Sequence, residues 1–304
     1  MKNKIIVRIS EGLGNQMFMY ANAYSLAVKK KCKLLIDDES GFYKKKNRNR
    51  GRKYNLDFFL IKTDIASNRF KFNNVAKDIL RKLLKLINLF LKKKIFILEK
   101  CFKNKKTKFI NLFNTPLNHI CYVEGHYESE KYFLNCSSKI REQFTVKNNL
   151  VNKDNFYISK LKSVNSVSIH FRRDRFTEEV NEKKNKYKTL KTTEFENLTL
   201  NYINDGIRYF KNNVTNPVFF LWSNNFSGLE NLFSKNIFFI KNQNLIEDFY
   251  LFNFCQHFIV GPSTFHWWGA WLNGNTKKIC LRPKDKLLNP SNNSDFWPDR
   301  WISI

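Results

Sequence analysis

The sequence predicts an α/β fold built from two facing Rossmann-like domains with a cleft between them. Hydrophobic residues make up 42% of the 304 positions, which is enough for a substantial core and excludes a disordered chain. The opening residues follow the order strand, glycine loop, helix, strand, and the same alternation resumes in the second half of the chain. We therefore expect one domain over residues 1–150 and a second over residues 151–304.

The opening segment supplies the first α/β unit. Residues 4–9 form an apolar run that predicts a buried strand, and residues 33–37 predict the next strand. Between them, apolar side chains recur at intervals of three and four from Met17 to about Lys30, which predicts a helix. Residues 10–16 are then the loop that joins the first strand to this helix.

Basic segments occupy much of the region from about residue 40 to residue 110, which we interpret as an insertion. Residues 43–53 and 103–108 are typical of basic polar loops. Residues 77–98 predict one amphipathic helix with lysines beside an apolar stripe. The stripe contains Ile79, Leu80, Leu83, Leu84, Ile87, Phe90 and Leu91. Two interpretations stay open: the stripe inserts into an anionic membrane, or it packs on the domain and leaves the lysine face in water.

The second half predicts another sheet with flanking helices. Its apolar runs are short and are separated by longer periodic segments. The predicted strands are residues 166–171, 217–223, 236–240, 257–261 and 277–281, and the predicted helices are residues 192–212, residues 244–255 and a helix that Pro262, Ser263 and Thr264 open and Gly274 ends.

The charge of the chain restricts its partners. Lys and Arg number 54 against 26 Asp and Glu, which gives a formal net charge of +28. Such an excess favours an anionic partner, namely nucleic acid, a membrane surface or a phosphorylated substrate. No RNP, KH or helix-turn-helix pattern is present, so we expect no nucleic-acid partner.

Cysteine spacing and hydropathy indicate the compartment. The six cysteines form no C-x-x-C pair, which argues against a zinc or disulfide framework. The N-terminal apolar run is too short for a signal peptide, and no run of about 18 apolar residues could span a membrane. We expect a cytoplasmic protein, with peripheral contact to the inner face of the cytoplasmic membrane left open.

The segment Gly12–Gln16 is the first candidate ligand loop. Glycines at 12 and 14 permit close backbone approach, and the N-terminus of the next helix offers N–H groups to an anion. The dinucleotide fingerprint needs a third glycine, and Met17 occupies that position. A ligand loop and a plain tight turn both remain open.

Charged residues follow the predicted strand 166–171. Arg172, Arg173 and Asp174 lie at its carboxyl end, where open α/β sheets bind ligands. A guanidinium group grips a phosphate through two parallel hydrogen bonds and keeps its charge at any working pH. A phosphate site is therefore favoured over a solvated charge cluster, and His170 gains weight from these neighbours.

A Ser–Thr pair opens the helix after residue 262. Ser263 and Thr264 can cap this helix, and the same place can also cradle a phosphate. The adjacent Trp267 and Trp268 predict core packing.

The sequence predicts no metal and no cofactor. Asp37, Asp38 and Glu39 follow a strand and give only a weak metal signal. The histidines have no ligand spacing, so arginine is the better source of positive charge.

Several segments in order along nearly the whole chain resemble the α-1,2-fucosyltransferase family, whose inverting enzymes transfer fucose from GDP-fucose to galactosides and bacterial surface glycans. The segments are 12–20 (GLGNQMFMY), 122–133 (YVEGHYESEKYF), 167–174 (VSIHFRRD), 247–272 (EDFYLFNFCQHFIVGPSTFHWWGAWL) and the closing DFWPDRWISI. Two departures stand out. The family usually has H-x-R-R-G-D-Y, whereas Asp174, Arg175 and Phe176 follow the arginines here. Its acidic S-D-D element corresponds to Ser223, Asn224 and Asn225.

The resemblance implies a GT-B fold, a metal-independent reaction between a nucleotide-sugar donor and a glycan acceptor, and a donor held mainly by the second domain. The first domain is then the acceptor side, and Arg172 contacts the donor diphosphate. We predict donor binding by His170, Arg172, Arg173, Gly12, Gly14, Gln16, Ser223, Ser263, Thr264 and Phe265.

The chemistry agrees with this assignment, because negative charge collects on a departing diphosphate and must be neutralised. Arg172 is the candidate for that role, and Asp174 is the leading candidate base for the acceptor hydroxyl. Asn15 could orient the sugar or the acceptor. Glu124, Glu128 and Glu178 stay open as alternative bases.

Two other functions remain open. The asparagines at 224 and 225 allow a transferase of the same fold that uses a different nucleotide sugar. The basic composition allows a nucleic-acid- or membrane-binding module.

Overall fold

The computed structural model describes residues 3–43, 52–100, 106–177, 186–233 and 237–304. The predicted loop 43–53, the predicted loop 103–108 and the candidate base Glu178 therefore lie partly or wholly outside the described residues.

The chain divides into two compact units at a boundary close to the predicted one. The first unit contains Met1–Thr145 and Ser291–Pro298, and the second contains Val146–Pro290 and Asp299–Ile304. The predicted second domain of residues 151–304 is thus corrected, because Ser291–Pro298 belong to the first unit. The returning segment is held in the first unit by Asp295, which accepts a hydrogen bond from the Phe109 N–H at 2.8 Å and pairs with Lys131 at 2.5 Å.

A parallel four-stranded sheet forms the first unit. Its elements are β1 (Lys4–Arg8), α1 (Leu13–Lys30), β2 (Lys33–Asp37), α2 (Val75–Ile87), β3 (Lys94–Leu98), β4 (Leu117–Glu124) and α3 (Ser137–Gln143). The strand order is β2-β1-β4-β3, and each pair is parallel. The central strand β1 carries Ile5 and Ile6, which are fully buried.

Helix α1 begins earlier than predicted. Leu13 is its first residue and Gly12 is its N-cap, so most of the predicted loop belongs to the first helical turn. The backbone N–H groups of Asn15 and Gln16 both donate to the Gly12 carbonyl at 3.0 Å, which closes that turn. Periodicity starting at Met17 missed the turn because its glycine and amide residues carry no apolar signal.

The predicted single helix over residues 77–98 is wrong in extent. Helix α2 ends at Ile87 and β3 begins at Lys94. The buried side chain of Asn88 accepts from the Ile95 and Phe96 N–H groups, each at 2.9 Å, and donates to the Phe96 carbonyl at 3.0 Å. These bonds turn the chain back into a strand that pairs with β4.

The second unit contains a parallel six-stranded sheet. Its elements are α4 (Phe156–Lys162), β5 (Asn165–Phe171), α5 (Lys186–Asn213), β6 (Pro217–Ser223), α6 (Leu229–Leu232), β7 (Ile237–Phe239), α7 (Leu245–Leu251), β8 (His257–Ile259), α8 (Thr264–Leu272), β9 (Cys280–Arg282) and β10 (Ile302–Ser303). The order is β10-β9-β8-β5-β6-β7, with every pair parallel. The strand predicted at 277–281 begins later, at Cys280. The predicted α/β class is confirmed.

Aromatic packing anchors α8 in the second unit. Trp267 and Trp268 are fully buried, as predicted, and Trp267 packs on Trp301 with ring centroids 5.5 Å apart. These contacts pack α8 into the core of the second unit. Within the described parts of the chain, no helix is both long and apolar enough to cross a bilayer.

Candidate active site

Three neighbouring strands of the second unit end at one edge of the sheet. β5 leads into Arg172–Asp174, β6 leads into Asn224–Asn225, and β8 leads into residues 260–263 before α8. Because β8, β5 and β6 are adjacent and parallel, these three loops lie side by side. The structure thus gathers the predicted residues of the second unit at one edge: His170, Arg172, Arg173, Asp174, Ser223, Ser263, Thr264 and Phe265.

The loop after β8 lies directly against the end of β5. A Cβ atom at Gly261 would lie 2.2 Å from the His170 carbonyl oxygen, so only glycine allows this approach. Ser263 then caps α8, since its hydroxyl accepts a hydrogen bond from the His266 N–H at 3.2 Å. The predicted cap is confirmed, and the first amides of α8 are set beside the end of β5.

The side chain of His266 holds the loop between β8 and α8 by a hydrogen bond. Its Nδ1 accepts the Gly261 N–H at 2.9 Å, so its Nε2 carries the proton and donates to the Ser168 hydroxyl at 2.7 Å. Burial lowers the pKa of His266 well below its ordinary value, which keeps the ring neutral. Sequence reasoning missed His266, because an isolated histidine inside an aromatic segment resembles core packing.

His170 is a neutral group at the same edge. Burial and the nearby Arg172 charge lower its pKa to about 3. Its Nδ1 atom is buried and has no hydrogen-bond partner among the described residues. The ring packs near Phe265, with centroids 6.1 Å apart. An unpaired ring nitrogen beside an arginine is suited to a polar ligand.

Arg173 is engaged by the protein itself. Its Nε donates to Glu196 Oε2 at 3.3 Å, and the second Glu196 oxygen accepts the Asp174 N–H at 3.0 Å. Its backbone pairs with the Asn224 side chain, which accepts the Arg173 N–H at 2.7 Å and donates to the Arg173 carbonyl at 3.1 Å. The guanidinium group and the backbone of Arg173 are thus both engaged by the protein, and the phosphate grip of Arg172 stays a prediction.

Asp174 occupies a left-handed backbone conformation, with φ of 56°. Its Oδ2 atom accepts a hydrogen bond from Asn225 Nδ2 at 3.3 Å. The candidate base Asp174 is therefore oriented by Asn225, at a position where the family pattern has an acid. Both positions stand out in the sequence, but nothing in the sequence indicates that they are in contact.

Arg175 joins two loops of this edge, a role that the sequence did not indicate. It donates to the Pro262 carbonyl at 2.9 Å and to the Pro290 carbonyl at 3.3 Å. Its guanidinium group lies 4.9 Å from the centre of the Phe195 ring. The loop after β5 is thereby tied to the loop that precedes α8.

Asp248 is a second residue that the sequence did not single out. It lies in the first turn of α7, and its Oδ1 atom is buried without a partner among the described residues. Burial and the neighbouring Glu247 raise the pKa of Asp248 to about 7, although the Trp222 side chain acts to lower it. From sequence alone this acid resembled an ordinary helix-start carboxylate.

The predicted residues of the first unit lie at the start of α1. Among the described residues, a Cβ atom at Gly12 would meet nothing within 4 Å. Gly14 and Asn15 follow in the first turn. Gln16 is fully buried: its Nε2 donates to the Glu11 and Lys53 carbonyls at 2.8 Å, and its Oε1 accepts the Asn55 N–H at 3.0 Å. The Gln16 side chain thus bonds to the backbone of the chain itself, and not to the predicted nucleotide-sugar donor.

The acidic motif and one alternative base are also engaged. Asp37 Oδ1 accepts the Glu39 and Ser40 N–H groups at 3.2 and 3.0 Å, and Lys71 pairs with Asp38 and Glu39 at 2.6 Å each. Glu124 pairs with Arg81 at 2.7 Å and with Lys85. Among the described residues, no three His, Cys, Asp or Glu side chains converge as a metal site would require.

Comparisons with known proteins identify the family of the chain and agree with its fold. The family model described as glycosyl transferase family 11 matches residues 1–303. The chain therefore belongs to glycosyl transferase family 11 and is a glycosyltransferase.

Individual relatives cover the whole length. An alpha-1,2-colitosyltransferase of Escherichia coli is 29% identical over 308 residues, which are 99% of this chain and 98% of the relative. The O-antigen biosynthesis glycosyltransferase WbnK of Escherichia coli is 29% identical over 317 residues, covering 97% and 99%. A NodZ alpha-1,6-fucosyltransferase crystal structure, from a crystal soaked with GDP-fucose, matches with a TM-score of 0.51 at 14% identity, over 95% of this chain and 97% of that one. That likeness confirms the predicted GT-B-like fold.

Proposed function

We propose that this glycosyltransferase moves L-fucose from GDP-β-L-fucose to a hydroxyl of a bacterial surface glycan, with O2 of a galactoside as the acceptor atom. The reaction inverts the anomeric centre and needs no metal. The observation that carries the proposal is the sheet edge where Arg172, neutral His170 and the capped α8 N-terminus meet. Support comes from relatives named for α-1,2 transfer and for O-antigen biosynthesis.

The edge has the chemistry that a diphosphate leaving group requires. Negative charge accumulates on the diphosphate as the bond to the sugar breaks. Arg172 supplies a permanent positive charge with a two-point grip, and the amides at the start of α8 add partial positive charge. A neutral His170 adds no charge of its own and leaves a ring nitrogen for hydrogen bonding. We assign the stabilisation of the leaving group to Arg172.

The acceptor hydroxyl needs a group that takes its proton late in the displacement. Asp174 remains our candidate, because Asn225 orients its carboxylate at this same edge. Glu124 is less suited, since its Oε2 atom is held by Arg81 and Lys85. We assign Asn15 the orientation of the sugar or acceptor, and Gly12 the open approach for a substrate.

Transfer from a nucleotide sugar other than GDP-fucose is a specific alternative. Asn224 and Asn225 replace two acids of the family pattern, and one relative is named a colitosyltransferase. A transferase of the same fold that uses another nucleotide sugar would account for both observations.

The test is hydrolysis and transfer with a panel of nucleotide sugars, in buffer with and without a chelator. We expect GDP-fucose to be turned over in both buffers and the product linkage to be α. Preference for another nucleotide sugar selects the second candidate. A nucleic-acid-binding module would turn over none of them and would bind nucleic acid with a steep salt dependence.

A further inference from the structure

Helix α2 is mounted on the first unit by its charged face. Asp78 is 5% exposed, and Arg81 bonds to it through Nε at 3.1 Å and through a terminal nitrogen at 2.8 Å. Arg81 also reaches Glu124 at 2.7 Å, and Lys85 pairs with the same Glu124 oxygen. Glu124 ends β4, so these ion pairs fix one side of the helix against the sheet.

The apolar face of this helix consequently points outward. We call its exposed residues the α2 surface: Val75, Ile79, Leu80, Leu83, Leu86, Ile87, Leu89 and Phe90. Leu83 is 53% exposed and Leu86 is 61% exposed. The interpretation in which the stripe packs on the domain is therefore wrong for most of the stripe; only Leu84 and Leu91 are half-buried. A contiguous apolar surface of this breadth marks an interaction site.

Phe90 stands at the tip of a rigid turn. It is 89% exposed, while the base of its turn is held by the buried Asn88 side chain. The Leu89 and Phe90 N–H groups each close a short turn to the end of α2 at 3.1 Å. The exposed aromatic ring is thus carried by a hydrogen-bonded turn.

Around the α2 surface, lysines are exposed, whereas the carboxylates bond to groups of the protein. Between residues 75 and 100, the exposed charged residues are Lys82, Lys92, Lys93 and Lys100, and Lys82 also lies 3.9 Å from Asp78. The two carboxylates of this segment are turned inward, Asp78 to Arg81 and Glu99 to the His126 and Tyr127 N–H groups. An apolar surface rimmed by cations matches a layer of acyl chains under anionic headgroups.

The same distribution of charge disfavours a second copy of the chain as the occupant. In a two-fold dimer across this surface, the lysine rims would face each other. Each chain already carries a net charge of +28, so the repulsion would add to the cost.

We propose that the α2 surface docks the enzyme on an anionic lipid membrane, with the leucines and Phe90 entering the headgroup boundary. The proposal goes beyond the transferase reaction and does not depend on the donor or the acceptor.

The experiment is flotation of the full chain with vesicles of phosphatidylglycerol and phosphatidylcholine in equal parts, beside vesicles of phosphatidylcholine alone. We expect partitioning at least tenfold stronger into the anionic vesicles, weakening at high salt. Replacing Lys82, Lys92 and Lys93 by Ser should weaken it by about 10²-fold, at about fivefold per lysine. Phe90→Glu and Leu83→Glu should abolish it.

Matched controls separate the α2 surface from exposed apolar residues in general. Phe156→Glu changes a 70% exposed Phe of the second unit, and Leu134→Glu changes a 48% exposed Leu outside α2; both should float like the unchanged chain. Because all these positions are exposed, the variants should keep the thermal midpoint of the parent. No flotation, equal flotation with neutral vesicles, or equal loss in the controls overturns the proposal. A dimer in solution that Phe90→Glu dissociates would also overturn it, in favour of a second copy.

Discussion

Replacing each of the two arginines that follow β5 should change a different property of the enzyme. Arg172 lies where the leaving diphosphate is proposed to sit, near the neutral His170. Arg173 is bonded to Glu196, and its backbone is bonded to Asn224. We therefore expect Arg172→Ala to lower the rate and Arg173→Ala to lower the stability.

The two substitutions should also differ in the size of the loss. Removing one charge that stabilises a transition state costs on the order of 10²–10³ in kcat, or about 2.7–4 kcal/mol, which we expect for Arg172→Ala. Arg173 and Glu196 are about one-fifth exposed, so their ion pair is partly screened. Its loss leaves a half-buried carboxylate with fewer partners, at about 1–2 kcal/mol, or a Tm lower by about 3–6 °C.

The assay combines kcat and donor KM with thermal melts followed by circular dichroism. Arg172→Lys is the matched variant, and it should recover little of the rate, because an ammonium group keeps the charge without the planar grip. A folded Arg172→Ala enzyme with the parent kcat would refute the assignment. If Arg173→Ala takes the rate loss instead, the clamp belongs to Arg173.

Three further predictions concern charge at this edge. Asn225→Asp places a carboxylate against Asp174 and should lower Tm by several degrees, with recovery in the double variant that adds Asp174→Asn; an unchanged Tm contradicts the contact. His170 and His266 have lowered pKa values, so their stabilisation is complete above about pH 6.5 and is lost as the pH falls toward the folded-state pKa. The raised pKa of Asp248 acts in the opposite direction, so the comparison is made in an Asp248→Asn background. Urea unfolding there should show about 1.4 kcal/mol less stability per ring near pH 5.5 than near pH 7.5, and a flat profile rules this out. Turnover should survive a chelator, whereas a strict need for Mn²⁺ or Mg²⁺ would restore a metal mechanism.

Strand positions could be predicted well where apolar runs are continuous. Residues 217–223 are β6 without any shift, and residues 33–37 are β2. β4 was not predicted, although it lies between β1 and β3 in the sheet. Its first half contains the polar residues Asn118 and His119 and no buried side chain, so the expected run of buried side chains is absent there.

Helix α2 shows a second limit of sequence reasoning. Periodicity identifies which side chains share a face, but it does not say which face meets the domain. That choice depends on Glu124, which is distant in the sequence and supplies the partner for Arg81 and Lys85. The apolar face was therefore predictable, whereas its outward direction was not.

The candidate site was predictable where it follows strand ends. Arg172 and Ser263 come directly after apolar runs, and the carboxyl ends of parallel strands converge by geometry alone. The partners could not be found in this way. Glu196 lies within α5, and only the packed structure brings it to Arg173. Asp248 resembles an ordinary helix-start acid, and only the packed structure shows that one of its oxygens is buried.

The departures from the family pattern become consistent when they are taken together. Asp174 stands where the family has glycine, and its φ of 56° is a conformation that glycine adopts freely. A carboxylate at 224 could accept the Arg173 N–H but could not donate to the Arg173 carbonyl, as Asn224 does.

A carboxylate at 225 would repel Asp174, whereas Asn225 donates to it. In this chain a carboxylate stands after β5, while the two that the family pattern places after β6 are amides. Because β5 and β6 are adjacent, a carboxylate remains at the same edge of the sheet. Restoring one family residue alone should therefore disturb the edge more than restoring positions 174, 224 and 225 together, and the replacement of the S-D-D acids does not by itself argue against a GDP-sugar donor.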